Sequence, residues 1–383
     1  MKITFLGAGS TVFVRSVLGD VMVTDALRDS DIALYDIDPE RLDDSYLMLS
    51  NINRNANSDR ATLSKYCGLD ELEAALEGAD FVINAIQVGG YEPSTVIDFE
   101  VPKEFGLRQT IADTLGIGGI FRTLRTIPVM EQFARAMEKV CPDAWFLNYT
   151  NPMAMLTGYM LRYSTIKTVG LCHSVQVAVP HLMRDLGMEY HDGIQWKIAG
   201  INHVAWLLEV SENGKDLYPE IKRRSLEQGY PDHDRVRHEM MHRFGYYVTE
   251  SSEHNAEYHP YFIKSTHPEL IERFNIPLDE YPRRCVNQIE GWKKMRASLT
   301  DNPDLSHDRS NEYASYIMEA FVTNKPYKIG GNVLNTGLIT NLPQNACVEV
   351  PCIVDASGIT PTHVGDLPEV LAALNRTNIN PQL

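Results

Sequence analysis

The chain has no CxxC pair, no long apolar run and no excess of basic residues. Its six cysteines (Cys67, Cys141, Cys172, Cys285, Cys347 and Cys352) are scattered. In a chain of this length that pattern fits reduced thiols of a cytoplasmic protein better than a disulfide framework. Lys and Arg number 35 against 51 Asp and Glu, for a net charge of −16. Such a balance argues against nucleic acid or an anionic membrane as the partner, and against a heavily phosphorylated substrate. No apolar run reaches membrane-spanning length. Met1–Leu6 runs straight into Gly7 and is too short for a signal-peptide core. Fixed-period repeats, low-complexity tracts and Ser/Gly linkers are also missing, so any division within the chain is a packed interface rather than a tether.

What is present is an ordinary globular composition, 44% apolar and 22% charged over 383 residues. That length suits two closely packed domains. Lys2–Leu6 reads as a buried strand and Val12–Leu18 as the start of a helix. Asp31–Asp36 reads as a second strand and Pro39–Asn53 as a helix. A short helix follows at Leu72–Leu76, then an apolar strand at Ala79–Val88. Ile127–Val140 reads as a helix and Ala144–Leu147 as a strand. Alternation of this kind predicts a Rossmann-type, doubly wound parallel sheet, an α/β fold of the lactate/malate dehydrogenase kind, over residues 1–195. After about residue 195 the rhythm changes. Trp196–Ala199 and Trp206–Val210 read as strands of a different sheet, Arg235–Phe244 and Asp279–Ser298 as helices, and Val348–Asp355 as a further strand. Residues 196–383 are therefore expected to form a mixed α+β domain for substrate and metal.

The turn after the first strand is Gly7-x-Gly9-x-x-Val12, with Ser10 and Thr11 inside it. The first glycine permits the tight turn, and the second lets the backbone approach a pyrophosphate at the helix N-terminus. The third fingerprint position is Val12 where glycine or alanine is usual. Asp36 closes the second strand and is placed to accept hydrogen bonds from a ribose, which favours NAD over NADP; Asp38 is a second candidate. The competing reading is a glycine turn that binds no nucleotide.

Cys172-His173 follows the apolar run Thr168–Leu171, and His203 lies in Gly200-Ile-Asn-His203. A lone buried cysteine is most often a small core residue, and a lone histidine is most often satisfied in place. Three polar segments, however, each follow a strand-like run: Asn148 to Asn151-Pro152, Cys172-His173-Ser174 and Asn202-His203. All three are then able to face one crevice. A thiolate with an imidazole suits a divalent transition metal that keeps positions open for substrate oxygens.

These residues, with Gly89–Pro93, Gln109–Gly116, Thr249–Tyr258, Pro277–Cys285 and Asn341–Asp355, resemble glycoside hydrolase family 4 along essentially the whole chain. Its members depend on NAD and manganese and stand apart from two-carboxylate glycosidases. The resemblance implies that Cys172 and His203 hold Mn2+ and that His173 is the general acid. It implies that Asn151 binds sugar hydroxyls, with Asn148 in the same loop. Tyr258 is the implied base at C2, against its reading as an ordinary helix-surface aromatic, and Asp113 is a further cleft residue. The implied substrate is a small α-galactoside, hydrolysed by oxidation, elimination, addition and reduction. The enzyme would be a cytoplasmic homo-oligomer, dimer or tetramer, with no nucleic-acid or membrane partner. Family chains continue beyond a stretch like Thr377–Asn380, so a C-terminal helical segment is expected to be missing here. α-Galacturonidase and α-glucosidase activity are the rivals within the family. A histidine after Cys172 disfavours phosphorylated sugars. Outside the family, a 2-hydroxyacid dehydrogenase would need a substrate-binding arginine, for which Arg122 and Arg125 are candidates, and a regulatory nucleotide-binding module would need no metal.

Overall fold

The computed structural model describes residues 1–383. Six strands form its parallel half: β1 (Lys2–Leu6), β2 (Asp31–Asp36), β3 (Thr62–Cys67), β4 (Phe81–Asn84), β5 (Trp145–Asn148) and β6 (Lys167–Leu171). Their order across the sheet is β3-β2-β1-β4-β5-β6, all parallel. This is the dinucleotide-binding order, which reverses between β1 and β4 and opens a crevice at the carboxyl ends of the strands. The central strands are apolar and buried on both faces, because helices cover both sides. The crossovers include Val12–Val23, Pro39–Asn57, Gly116–Val140 and Met153–Tyr163.

Seven strands follow: β7 (Ile194–Ile201), β8 (Val204–Glu212), β9 (Lys215–Asp216), β10 (Tyr247–Val248), β11 (Tyr327–Leu334), β12 (Cys347–Asp355) and β13 (Gly358–Pro361). The sequence suggested a separate sheet for them. The hydrogen bonds instead make one sheet of 13 strands, whose main path continues β6-β11-β12-β7-β8-β10. β11 joins the halves by pairing antiparallel with β6 at Gly331–Leu171 and Asn332–Gly170. The sequence reading marked no strand at Tyr327–Leu334, and a local pattern carries no record of a partner 160 residues away, so this join was invisible in the sequence. The packing agrees with the pairing: a single cluster of 55 buried residues runs from Ile3 to Ile379. No helix is long and apolar enough to cross a membrane.

Candidate active site

The carboxyl ends of β1, β2, β5 and β6 deliver most of the expected residues to one edge. Gly7 leaves β1 with φ of 87°, and its amide donates to the Tyr35 carbonyl at 3.0 Å. A Cβ there would stand 2.5 Å from the Ala85 carbonyl oxygen, so both conformation and space require glycine. Ala8–Ser10 makes one tight turn, and Thr11 leads into the helix Val12–Val23. Gly9 N donates to Oδ2 of Asp36 at 2.6 Å, while Oδ1 of Asp36 accepts from the amides of Ile37 and Asp38. Gly7, Gly9, Ser10, Thr11 and Asp36 thus form one turn beside the β1/β4 crevice. Asp38 is otherwise employed. Its carboxylate accepts from Glu40 N and Arg41 N and caps the helix Pro39–Asn57. Ser10 Oγ is buried without a partner, an open hydrogen-bonding position within the cradle.

Cys172 follows β6, and His203 sits in the tight turn between β7 and β8. One donor atom each from Cys172, His203 and Glu250 lie within 4.8 Å of one another, and so do those of Asp113, His203 and His254. His203 belongs to both sets. Glu250 arrives because Thr249 extends the β10 pairing: Thr249 N donates to the Ala205 carbonyl at 2.8 Å. That places the next residue beside the β7–β8 turn. Both His203 and Glu250 have φ of 65°, a left-handed conformation that costs a non-glycine residue about 1–3 kcal/mol and gathers at functional sites. Oε2 of Glu250 lies 3.3 Å from Nε2 of His203.

The carboxylate and the thiol favour positive charge at His203. Burial opposes charge on His203, yet Glu250 and Cys172 push its pKa from 6.5 up to about 10. Burial likewise opposes charge on Glu250, and His203 with His254 draws it down to about 2. Nδ1 of His203 lies 3.3 Å from the Tyr258 hydroxyl, which orients the ring with Nε2 toward the other donors. Burial, then Asp113, Glu257 and Glu250, hold the Tyr258 phenol well above its ordinary value. Tyr258 is 5% exposed, so it is not a helix-surface aromatic. Asp113 stands 3.9 Å from Nε2 of His254. Its loop is fixed by Glu257, which accepts from the amides of Thr110, Ile111 and Ala112 at 2.7, 3.2 and 2.8 Å. Burial pushes Glu257 up to about 7 even so, although three amide donors favour its ionised form.

His173 stands beside this cluster, half-exposed, with Nε2 2.7 Å from Oε2 of Glu312. That hydrogen bond raises its pKa above 6.5 against the effect of burial. Asn151 keeps a buried Oδ1 with no partner. Asn148 differs from the expectation. It is fully buried, its Oδ1 accepts from Asn84 and Thr150, and its Nδ2 donates to Thr157 and the Thr150 carbonyl. Its side chain is spent on holding the loop, whereas Asn151 Oδ1 is left without a partner. Arg125 forms a bidentate pair with Asp98 at 3.0 and 2.6 Å and is not free for a substrate carboxylate. Arg122 donates to the Tyr281 hydroxyl at 3.3 Å.

Sequence reasoning missed Glu250, His254, Glu257 and Glu312. The first three lie within Thr249–Tyr258; His254 and Glu257 share the helix Ser252–Tyr258, and their i, i+3 spacing was the available signal, whereas Glu250 precedes that helix in a left-handed turn. Glu312 sits in a loop with no pattern to mark it.

The family described as "Family 4 glycosyl hydrolase" matches residues 2–188, and its "C-terminal domain" matches residues 198–383. The chain belongs to glycosyl hydrolase family 4. Among family relatives, the protein named Alpha-galactosidase of Bacillus subtilis (strain 168) is 65% identical over 383 residues, covering 100% of this chain and 88% of that protein. The solved structure of lplD from Bacillus subtilis superposes with a TM-score of 0.87 at 26% identity, covering 100% and 90% of the two chains. A 6-phospho-alpha-glucosidase from gut microorganisms, solved in complex with NAD and Mn2+, has a TM-score of 0.80 at 21% identity, covers 100% and 88%, and shares the fold.

Proposed function

We propose that this family 4 enzyme hydrolyses α-galactosides, with NAD on the Gly7–Asp36 turn and Mn2+ on Cys172 and His203. The observation that carries the reading is a thiol, an imidazole and a carboxylate within 4.8 Å of one another on the sheet edge that also bears the glycine turn. A soft thiolate beside a borderline imidazole suits a transition metal, and the partnerless Ser10 Oγ suits a polar ligand in the turn. The choice of sugar rests on 65% end-to-end identity with a protein named Alpha-galactosidase, ahead of galacturonide or glucoside. A dehydrogenase that binds a substrate carboxylate through Arg125 loses its arginine to Asp98.

Bound NAD supplies reversible hydride acceptance from the sugar, and bound Mn2+ supplies a Lewis acid for the neighbouring sugar oxygens. The chain's own groups do the rest. Tyr258 takes the proton from C2 of the sugar. Because its phenol lies among carboxylates, it serves as a base only when their charge is offset. His173 gives a proton to the glycosidic oxygen as the aglycone leaves C1, a task suited to an imidazole near neutral pH. In the reverse direction His173 takes a proton from the water that adds at C1, and Tyr258 returns one to C2. Asn151 Oδ1 accepts from a sugar hydroxyl, and Asp113 lines the cleft opposite His254. Six free thiols support a reducing, cytoplasmic setting, and the reading includes a homo-oligomer, dimer or tetramer.

The test is hydrolysis of p-nitrophenyl α-galactoside, α-galacturonide and α-glucoside with NAD, Mn2+ and reductant each omitted in turn. We expect turnover of the galactoside only with all three, and deuterium at C2 of the product formed in D2O. Turnover without NAD, or a product carrying only protium at C2, would exclude this chemistry.

A further inference from the structure

His173 is held from three sides by segments remote in sequence. Its ring lies 5.9 Å from that of Tyr149, which follows β5, and 6.3 Å from that of Phe13, on the helix Val12–Val23. Its Nε2 meets Oε2 of Glu312 at 2.7 Å. Glu312 immediately precedes the helix Tyr313–Thr323, whose Ala314 amide donates to the Tyr149 hydroxyl at 3.0 Å. The segment that carries Glu312 is fastened just upstream. Both N and Oγ of Ser310 donate to Asp20 at 2.7 Å, and Nε2 of His307 reaches the same carboxylate at 2.7 Å. Ser310 Oγ in turn accepts from the Glu312 amide at 3.3 Å. Asp20 is completely buried and lies on the same helix as Phe13. Its neighbour Gly19 leaves room for the anchor, since a Cβ there would stand 2.6 Å from the His307 ring.

We propose that Glu312 is the positioning residue for proton delivery by His173, and that Asp20 anchors it to the helix that begins at the glycine turn. By accepting the Nε2 hydrogen, the carboxylate fixes the ring orientation and leaves Nδ1 as the nitrogen available to the leaving group. A charge-assisted hydrogen bond of this length also removes the rotamer freedom of a half-exposed imidazole. The proposal rests on the reading of His173 as the general acid. It adds the group that holds the acid and ties that group to the nucleotide side of the cleft through a contact spanning 290 residues.

Acid assistance matters in proportion to how poorly the aglycone leaves. The experiment compares melibiose, whose leaving group is a sugar alcohol, with 2,4-dinitrophenyl α-galactoside, whose leaving group departs unaided. In Glu312→Ala we expect kcat/KM on melibiose to fall about 10²-fold, within the usual range for general acid catalysis, and at least about tenfold further than on the dinitrophenyl substrate. Calorimetric affinities for NAD and for Mn2+ should stay at the wild-type values. Glu312→Asp should recover part of the melibiose activity, and Gly19→Ala should reproduce the same selectivity more weakly without touching the cleft. Equal losses on both substrates, or none on either, overturn the proposal. His173→Ala separates the two levels. If it is selective and Glu312→Ala is not, the positioning role alone fails. If His173→Ala loses both substrates equally, the acid role fails and the positioning role with it.

Discussion

His203 and Glu250 face each other at 3.3 Å in surroundings that oppose charge on either. Their titration makes the metal-free protein sensitive to pH in a defined window. The folded pKa of His203 rises from 6.5 to about 10, so its contribution to stability is full below 6.5 and is lost as pH climbs through 10. The folded pKa of Glu250 falls from 4.5 to about 2, so its contribution is present above 4.5 and is lost as pH falls through 2. The chelator-treated protein should therefore melt highest between those two ordinary values and lose several degrees as pH rises from 6.5 toward 10. Glu250→Gln should flatten that decline. A melting temperature independent of pH over this range would remove the pair as a coupled site. Cys172 and His203 were legible in the sequence because each follows a strand and differs in kind from its surroundings. Glu250 was not, because a carboxylate before a serine looks like any polar turn. The Thr249 pairing with Ala205 and the left-handed turns at positions 203 and 250 are where the two meet, and neither leaves a mark in the sequence.

At the scale of elements, the parallel half was readable where apolar runs met turn residues, as in β1, β2, β5 and β6. β3 has no fully buried residue, so it lacked an apolar signature and went unread. The run Ala79–Val88 suggested a long strand, but β4 ends at Asn84, where the side chain turns to Asn148 and Thr150. The helix expected from Ile127 begins at Gly116, because three glycines in its first turn and Pro128 inside it disguise the start. The glycine turn, by contrast, was fully legible, since its requirement is local. Gly7→Ala should cost at least 1–2 kcal/mol for the left-handed backbone alone, with the clash against the Ala85 carbonyl added. We expect a lower melting temperature and an NAD dissociation constant raised by at least about tenfold, equivalent to about 1.4 kcal/mol. Fluorescence titration with NADH reads this directly, and unchanged affinity would dissociate the turn from the nucleotide.

For the whole molecule, the sequence indicated two folding rhythms but not how they join. Strand identity depends on local pattern, whereas sheet membership depends on which distant edge a strand meets, and β11 meets β6. The consequence is mechanical as well as topological. If the halves were two sheets across a packed boundary, each would unfold on its own and NAD would protect only the one that binds it. With β6–β11 hydrogen bonds and one buried cluster from Ile3 to Ile379, opening either half exposes the edge and core of the other. Urea unfolding followed by far-UV circular dichroism and by tryptophan fluorescence should then give one shared midpoint. The fluorescence draws on four tryptophans, Trp145 in β5 of the parallel half and Trp196, Trp206 and Trp292 beyond it, so both halves contribute. NAD at 100 times its dissociation constant adds about 2.7 kcal/mol, and that increment should move both signals together although the proposed nucleotide turn, Gly7 to Asp36, belongs to the parallel half alone. Two midpoints, or a shift in one signal alone, would mean that the β6–β11 join does not couple the halves.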